Sequence, residues 1–378
     1  MFDGALRLRL PVGTLVVGFA DDMVLAVCGQ SLKEVVVGVE RTIEVVEAWM
    51  AGVGLGVAHH KTEMILVSNL QAVQVASVKI GRHVVQSQDA IRYLGVMVDR
   101  GLSFGSHVDY AMTKALGALH ALSGIMCRTT GLGSSKKKLL ATVVSSVLRY
   151  ACPAWAEALA VQKNVDLLNR VHRLTAIQVA GAFRTVSLAA VSVIAGMVPV
   201  RILVEEDREC YAGRGTAGIR AEAKRRSLER WQREWENDVN GRWTFRLIPI
   251  IERWLSRDHG EVNPWLTQFL SGHGNFREYL HRFKRAPSPE CPACAGLVES
   301  PEHVLLVCPR FDEARDEMMA AVGERVTVEK LVDLMCQRKE AFDAINRCVG
   351  QIMSRLQLEW REFQRLQAAG AVQLQMQG

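Results

Sequence analysis

The sequence predicts an α+β protein, and three observations carry that prediction. Short runs of β-branched residues separated by turn signals fill roughly the first hundred positions, hydrophobic spacing turns helical from about residue 106, and a compact group of cysteine and histidine breaks the helical part near residue 300.

Composition narrows the class before any motif is read. A chain of 378 residues with 49% apolar content has room for two or three domains with real cores. It contains no run of about eighteen uncharged apolar residues, and residues 1–12 carry arginines but no apolar signal-peptide core. Secretion and membrane insertion are therefore unsupported. Nine cysteines, scattered apart from one cluster, do not form the framework of a small secreted disulfide domain, so a reducing compartment fits better. The net charge of +6 permits a polyanionic partner without requiring one.

The elements follow in order. Residues 13–29 read as a tight β-hairpin with strands at 14–19 and 23–28 around Ala20-Asp21-Asp22, both strands largely buried because they are apolar on both faces. Ser31-Leu32-Lys33-Glu34 has the form of a capping box, and Val39, Ile43, Val46 and Met50 follow at helical spacing, which predicts a helix over 32–51 that Gly52 and Gly54 end. Short strands are predicted at 64–67, 78–80, 83–85 and 91–98, with Gly81-Arg82 as a two-residue turn. Helices are then expected at 106–126, 135–156, 162–180, 203–212 and 218–238, with a glycine break at 131–133 and a charged, mostly helical tail from Glu313. No internal repeat is present.

Asp21 and Asp22 are the first chemistry-bearing pair. Two-metal phosphodiester synthesis needs carboxylates that hold two magnesium ions, and adjacent acids on a rigid hairpin tip suit that task because a cation relieves their mutual repulsion. The same dipeptide is also an ordinary solvated turn. Cys291, Cys294, His303 and Cys308 form the second group, with the pattern C-x2-C-x8-H-x4-C. Three thiolates and one imidazole match the tetrahedral preference of structural zinc and leave no position open for hydrolysis. A chance grouping of reduced cysteines with a surface histidine is the competing explanation. Glu302, beside a candidate ligand, is expected to support it from outside or to face solvent.

Upstream of that group, Phe276, Arg277, Tyr279, His281, Arg282, Phe283, Lys284 and Arg285 interleave aromatic and basic side chains. Such a strip can stack on unpaired bases while neutralising phosphates, or it can be an amphipathic helix whose rings enter the core. Lys136-Lys137-Lys138 reads as a solvated helix start that is also placed to touch a nucleic-acid backbone. Trp231, Trp235, Trp243, Trp254 and Trp265 read as core or interface anchors, and His59-His60 as a loop pair.

Taken together these segments resemble a family. Phe19-Ala20-Asp21-Asp22 is similar to the [FY]-A-D-D box of reverse transcriptases. The helix with Trp49, then Gly54-Leu55-Gly56 and Lys61-Thr62-Glu63, resembles the next palm motif of non-LTR retrotransposon enzymes. Tyr93-Leu94-Gly95-Val96 resembles their primer-gripping strand motif, and Tyr150-Ala151-Cys152-Pro153-Ala154-Trp155-Ala156 a segment that follows the thumb. The order of the motifs agrees too, from residue 1 to at least Phe311, and the resemblance is closest to insect elements that insert into ribosomal DNA.

The resemblance implies Asp21 as a magnesium ligand, Asp22 as its less critical neighbour, Phe19 beneath the primer terminus, primer or nucleotide contacts from Tyr93, Leu94 and Gly95, and Lys61 as a candidate to neutralise leaving pyrophosphate. Lys61 reads equally as a solvated loop residue. The resemblance further implies RNA template, DNA primer or target and deoxynucleotide triphosphates as partners, no membrane, an upstream endonuclease domain, and a nuclear location with a cytoplasmic ribonucleoprotein stage. It also makes the Cys/His group a nucleic-acid-binding zinc knuckle, with Arg277, Tyr279, Arg282, Lys284 and Arg285 as candidate contacts.

The fold expected on this basis is the C-terminal part of a reverse-transcriptase palm over 1–98, a helical thumb and connection over 99–200, a helical region over 201–285, the knuckle over 286–312 and a helical tail over 313–378. The palm's upstream aspartate strand, fingers and template-fitting segment have no counterpart before Gly13. The chain is therefore expected to be a polyprotein fragment that is catalytically incomplete alone; a non-catalytic zinc-containing nucleic-acid-binding module, or an inactive relic, is the alternative.

Overall fold

A computed structural model describes residues 2–68, 75–127 and 131–376. Two compact units divide the chain, Met1–Tyr110 and Ala111–Gly378.

In the first unit, helix α1 (Phe2–Leu6) precedes strands β1 (Thr14–Phe19) and β2 (Asp22–Val27), which pair antiparallel with Phe19 opposite Asp22. That register leaves a two-residue turn, Ala20-Asp21, in which Ala20 takes a positive φ of 53°. The turn falls where the sequence places it, but the strands are not buried on both faces. Leu15, Val17 and Phe19 alternate outward and are 61%, 44% and 61% exposed. The physical reason is that β1 and β2 form a sheet of two strands, so helix α2 (Leu32–Gly52) covers one face only. Close approach of α2 depends on Gly38: a Cβ there would lie 2.8 Å from Val27 Cγ1.

The capping box at the start of α2 forms. Ser31 Oγ accepts from Glu34 N at 3.3 Å, and Glu34 Oε2 accepts from Gln30 N at 2.9 Å, which satisfies amides that the first helical turn leaves without partners. Beyond the helix, β3 (Met64–Ile65), β4 (Ser77–Ile80) and β5 (His83–Gln88) make a sheet in the order β3-β5-β4, and Gly81-Arg82 is the β4–β5 turn. The segment 91–98 is a third hairpin instead of one strand. β6 (Ala90–Tyr93) and β7 (Val96–Asp99) pair across Leu94-Gly95, and both turn residues have positive φ, 45° and 83°, as a I′ turn requires. The mainly apolar run hid the reversal, because Leu94 gives no turn signal and Gly95 alone marks it.

Helix α3 (Gly105–Ser123) contains the division between the units. Helices α4 (Ser134–Arg149), α5 (Cys152–Trp155), α6 (Gln162–Ala180), α7 (Leu188–Ala195), α8 (Val200–Ala212) and α9 (Ile219–Asn237) follow. The helix predicted over 135–156 stops at Arg149. Ala151 turns with φ 51°, and Pro153, which has no amide to donate, sits in the first turn of the new helix α5. Trp155 is fully buried and its Nε1 donates to Tyr150 O at 2.8 Å, so the turn is locked from within.

Short helices α10 (Arg242–Leu247), α11 (Ile251–Ser256), α12 (Pro264–Ser271) and α13 (Arg277–Arg282) lead to the strand pair β8 (Glu290–Cys291) and β9 (Cys294–Val298) and to α14 (Pro301–Leu306). The tail forms α15 (Asp312–Val322), α16 (Val328–Gln337) and the long α17 (Lys339–Met376). One core runs through this unit, and Trp231, Trp235 and Trp254 are among its most buried members. Two of these indoles are paired, Trp235 Nε1 donating to Ile248 O and Trp254 Nε1 to Ile194 O, as burial of an indole demands. Strands thus occupy the first hundred residues and helices dominate the rest, as an α+β reading requires. No single helix among the described residues is long and apolar enough to cross a membrane.

Candidate metal centre and associated segments

Strands β8 and β9 pair Cys291 with Cys294 across a two-residue turn, so both sulfurs leave the same side of a short ribbon. Helix α14 brings His303, and its N-cap Ser300 accepts the His303 backbone amide at 3.2 Å. Cys308 follows the end of α14. One ligand atom from each of the four residues lies within 4.8 Å of every other. Cys291 and Cys294 Sγ stand 3.7 and 4.0 Å from Cys308 Sγ. Zinc–thiolate bonds in a tetrahedron place sulfurs about 3.8 Å apart, whereas a disulfide holds them at about 2 Å. The geometry is therefore that of a metal cradle between free cysteines.

Two further observations fit a cation. His303 is buried, and its Nε2 has no hydrogen-bond partner among the described residues. Burial, with the charges of Arg310 and Arg315, lowers its pKa and keeps the imidazole in the neutral form that binds metals. Burial and the neighbouring sulfurs of Cys291 and Cys308 push the Cys294 thiol up to about 11. Three thiolates this close need a positive charge among them. Four protein ligands fill a tetrahedron, so the centre can organise structure but has no open position for catalysis.

Arg310 is the residue that sequence reasoning missed. Its Nε and Nη2 donate to Cys308 Sγ and Cys291 Sγ at 3.3 and 3.4 Å, Nη2 also pairs with Glu299, and Nη1 meets Glu359 Oε2 of α17 at 2.5 Å. Burial would raise the Cys308 thiol, but the hydrogen bonds and charge of Arg310 outweigh it and pull the pKa down. Glu299 is 2% exposed; burial raises its pKa against the opposing pull of Arg310. The available signal was slight, a cation two positions after the last cysteine. Glu302 faces outward and takes a two-point ion pair from Arg246 of α10, whose other partner is Glu329.

The basic–aromatic strip resolves into two faces. Phe276 is fully buried and Tyr279 is 9% exposed, with its hydroxyl 2.7 Å from Thr185 Oγ1. Arg282 lies over the Tyr279 and Phe283 rings, and Phe283, 43% exposed, is the ring left near solvent. Arg282, Lys284 and Arg285 are exposed, and the Arg277 amide donates to Glu299, which ties the strip to the metal cradle. Of the lysine run, Lys137 is buried while Lys136 and Lys138 are exposed.

In the first unit Asp21 and Asp22 are exposed at the hairpin turn, next to exposed Phe19. No third His, Cys, Asp or Glu joins them in a metal-sized group among the described residues. Lys61 is exposed in a 3-10 turn, His59–Lys61. His59 differs from the loop-pair reading, since its Nε2 lies 2.5 Å from Glu47 Oε1 on α2 and its ring stands against His83. Tyr93, Leu94 and Gly95 form the tip of the β6–β7 hairpin. Three of the family-like segments each hold a non-glycine residue at positive φ, namely Ala20, Leu94 and Ala151. Such strain persists where the surroundings over-determine the backbone, often at functional turns.

Comparison with known proteins gives these segments a context. The chain is 27% identical over 376 residues to the retrovirus-related Pol polyprotein from type-1 retrotransposable element R1 2 of Nasonia vitripennis, covering 89% of this chain and 91% of that protein. It is 26% identical to the R1 4 Pol polyprotein of the same organism, over 86% of this chain and 92% of that protein. Against the R1 Pol polyprotein of Bradysia coprophila the identity is 25% over 80% of this chain, which spans 32% of that longer relative. No protein-family model and no solved structure matches. The Cys3His cradle and the Asp-Asp hairpin thus sit on a chain whose relatives support a Pol-related protein of a non-LTR retrotransposon. The similarity, at 24–28% identity over most of the chain, is to the Pol polyproteins of insect R1 elements.

Proposed function

We propose that the chain serves RNA-directed DNA synthesis: it supplies the end of the polymerase palm, a helical thumb and connection, and a zinc knuckle that helps hold nucleic acid. The observation that carries this reading is the exposed Asp21-Asp22 pair at the turn of a short hairpin in a relative of Pol polyproteins. Asp21 is the magnesium ligand and Asp22 its neighbour, with Phe19 beneath the primer end. Lys61 neutralises leaving pyrophosphate, and the Tyr93-Leu94-Gly95 tip contacts the primer. A third carboxylate is needed to hold two metals, because two adjacent side chains do not surround them.

Zinc at Cys291, Cys294, His303 and Cys308 supplies a fixed crosslink between the β8–β9 ribbon and α14. Arg282, Lys284 and Arg285 then offer cations beside that crosslink to phosphates, with Arg277 alongside. The partners are an RNA template, a DNA primer or target and deoxynucleotide triphosphates, and the site of action is the nucleus after a cytoplasmic ribonucleoprotein stage. Endonuclease activity belongs to a separate domain of the polyprotein.

The test joins this chain to the polymerase segments that its element encodes ahead of it and measures template-directed incorporation. Asp21→Asn should abolish it, and equal incorporation by mutant and parent removes the polymerase reading. The Cys3His cradle by itself also serves a second reading, a non-catalytic zinc-containing nucleic-acid-binding module. That reading predicts nucleic-acid binding by the joined protein with no incorporation by the parent.

A further inference from the structure

A cavity of about 340 Å³ opens in the helical unit, lined by Phe183, Pro264, Trp265, Gln268, Asn275 and Gln357. Its chemistry is unusual in two ways. None of the six lining residues is charged, although the unit is rich in arginine and glutamate. Three primary amides instead converge with two aromatic rings. Gln268 is only 3% exposed, and its Oε1 is buried without a hydrogen-bond partner. The side chains of Asn275 and Gln357 and the indole N–H of Trp265 also make no hydrogen bond among the described residues. That oxygen is closed to water and lies against Gly274, so the amides of the lining that are left to read a ligand's edge are those of Asn275 and Gln357.

The occupant that fits is flat, uncharged and edged with both donors and acceptors. Phosphate and ammonium groups do not qualify, since the lining offers no charge of either sign. Aromatic rings accept a flat ligand by stacking, and primary amides read its edges, the combination by which proteins hold unstacked bases. The walls are also well fixed. Gly181, with φ 67°, lets Pro264 pack close: a Cβ there would lie 3.1 Å from Pro264 Cγ. The Phe183 ring stands 6.3 Å from that of Tyr279, which Thr185 holds through its hydroxyl. Arg184 follows Phe183 directly in the chain, is exposed and has no ion pair among the described residues, which leaves a cation available to a backbone phosphate.

We propose that this cavity receives one unpaired nucleobase of a single-stranded nucleic acid, stacked against Trp265 and Phe183 and read by Asn275 and Gln357. The proposal rests on the reading that this protein handles nucleic acid, and it gives Tyr279 a positioning role behind Phe183 in place of direct stacking.

The zinc-loaded chain is titrated with single-stranded RNA and DNA oligonucleotides of mixed sequence and with abasic oligonucleotides of equal length. Asn275→Ala and Gln357→Ala, with native circular dichroism, should each weaken binding of the base-bearing strands about tenfold and leave abasic binding unchanged. Their salt dependence should match the parent, whereas Arg184→Ala should lower the salt slope by about one. The RNA and DNA arms decide whether the 2′-hydroxyl matters. Unchanged binding by both amide variants overturns the pocket while leaving nucleic-acid handling intact. If the parent binds neither strand, that broader reading fails, and nucleoside monophosphates then test the cavity alone. Saturable quenching in the parent that is lost in Trp265→Phe supports it, and no saturation at millimolar concentration overturns it.

Discussion

Replacing Arg310 by alanine is expected to destabilise the helical unit by about 3–5 kcal/mol at neutral pH, the usual cost of breaking a buried ion pair from one side. The magnitude follows from what the change strands. Glu299 is 2% exposed and Arg310 10%, so neither carries its charge in water. Without the guanidinium, the Glu299 carboxylate keeps the Arg277 amide as its hydrogen-bond partner. The ion pair to Glu359 adds little, because that carboxylate is 38% exposed and well screened. Burial already raises the Glu299 pKa. A carboxyl with a raised folded-state pKa favours the fold fully below its ordinary value near 4.5, and that contribution is lost as pH rises through the raised value. The deficit of Arg310→Ala should therefore be largest at pH 7 and shrink toward pH 5. Urea unfolding at fixed zinc, with metal content measured in parallel, gives the number. Adding Glu299→Gln should recover part of the loss, since it removes the stranded charge. A single-variant loss below about 1 kcal/mol would show that the buried pair does not exist as described.

Three other outcomes are expected. Metal analysis of the reduced chain should find about one zinc per chain, and Cys294→Ser should lose it; a metal-free parent refutes the cradle. His172 is 5% exposed and burial pushes its pKa down to about 4. The unfolded state therefore takes up the proton first, so stability is present above about pH 6.5 and about 3 kcal/mol of it drains away as pH falls toward 4. His172→Gln should flatten that slope in urea melts from pH 7 to 4.5, and parallel slopes in variant and parent would contradict the burial. Ala20→Gly should relieve a positive-φ alanine at the hairpin turn, leaving amide-exchange protection of β1 and β2 equal or up to about 1 kcal/mol greater; a fall of that size argues against the turn.

Much of the arrangement was legible because local chemistry fixes it. Ser31 and Glu34 announce the start of α2 by a side-chain exchange that needs only four consecutive residues. The metal group was readable because spacing alone brings Cys291 and Cys294 to one side of a turn. What stayed hidden depends on partners distant in sequence. Leu15, Val17 and Phe19 look like core residues until the sheet proves to have two strands, and Leu94 looks like strand interior until its neighbours force it to positive φ. Arg310 could not be singled out, since its partners Glu299 and Glu359 are separated from each other by most of the tail. The rings of the 276–285 strip had two readings from periodicity; tertiary packing took Phe276 and Tyr279 inward and left the arginines in water.

The uncovered side of the first hairpin has a practical consequence. Three large apolar side chains in a row, on a ribbon whose outer backbone edges pair with nothing among the described residues, make an adhesive strip for any extended chain. Concentrated solutions should therefore gather into β-rich clusters that begin at residues 14–27, and a lysine at position 15 or 17 should keep the protein dispersed without touching its metal.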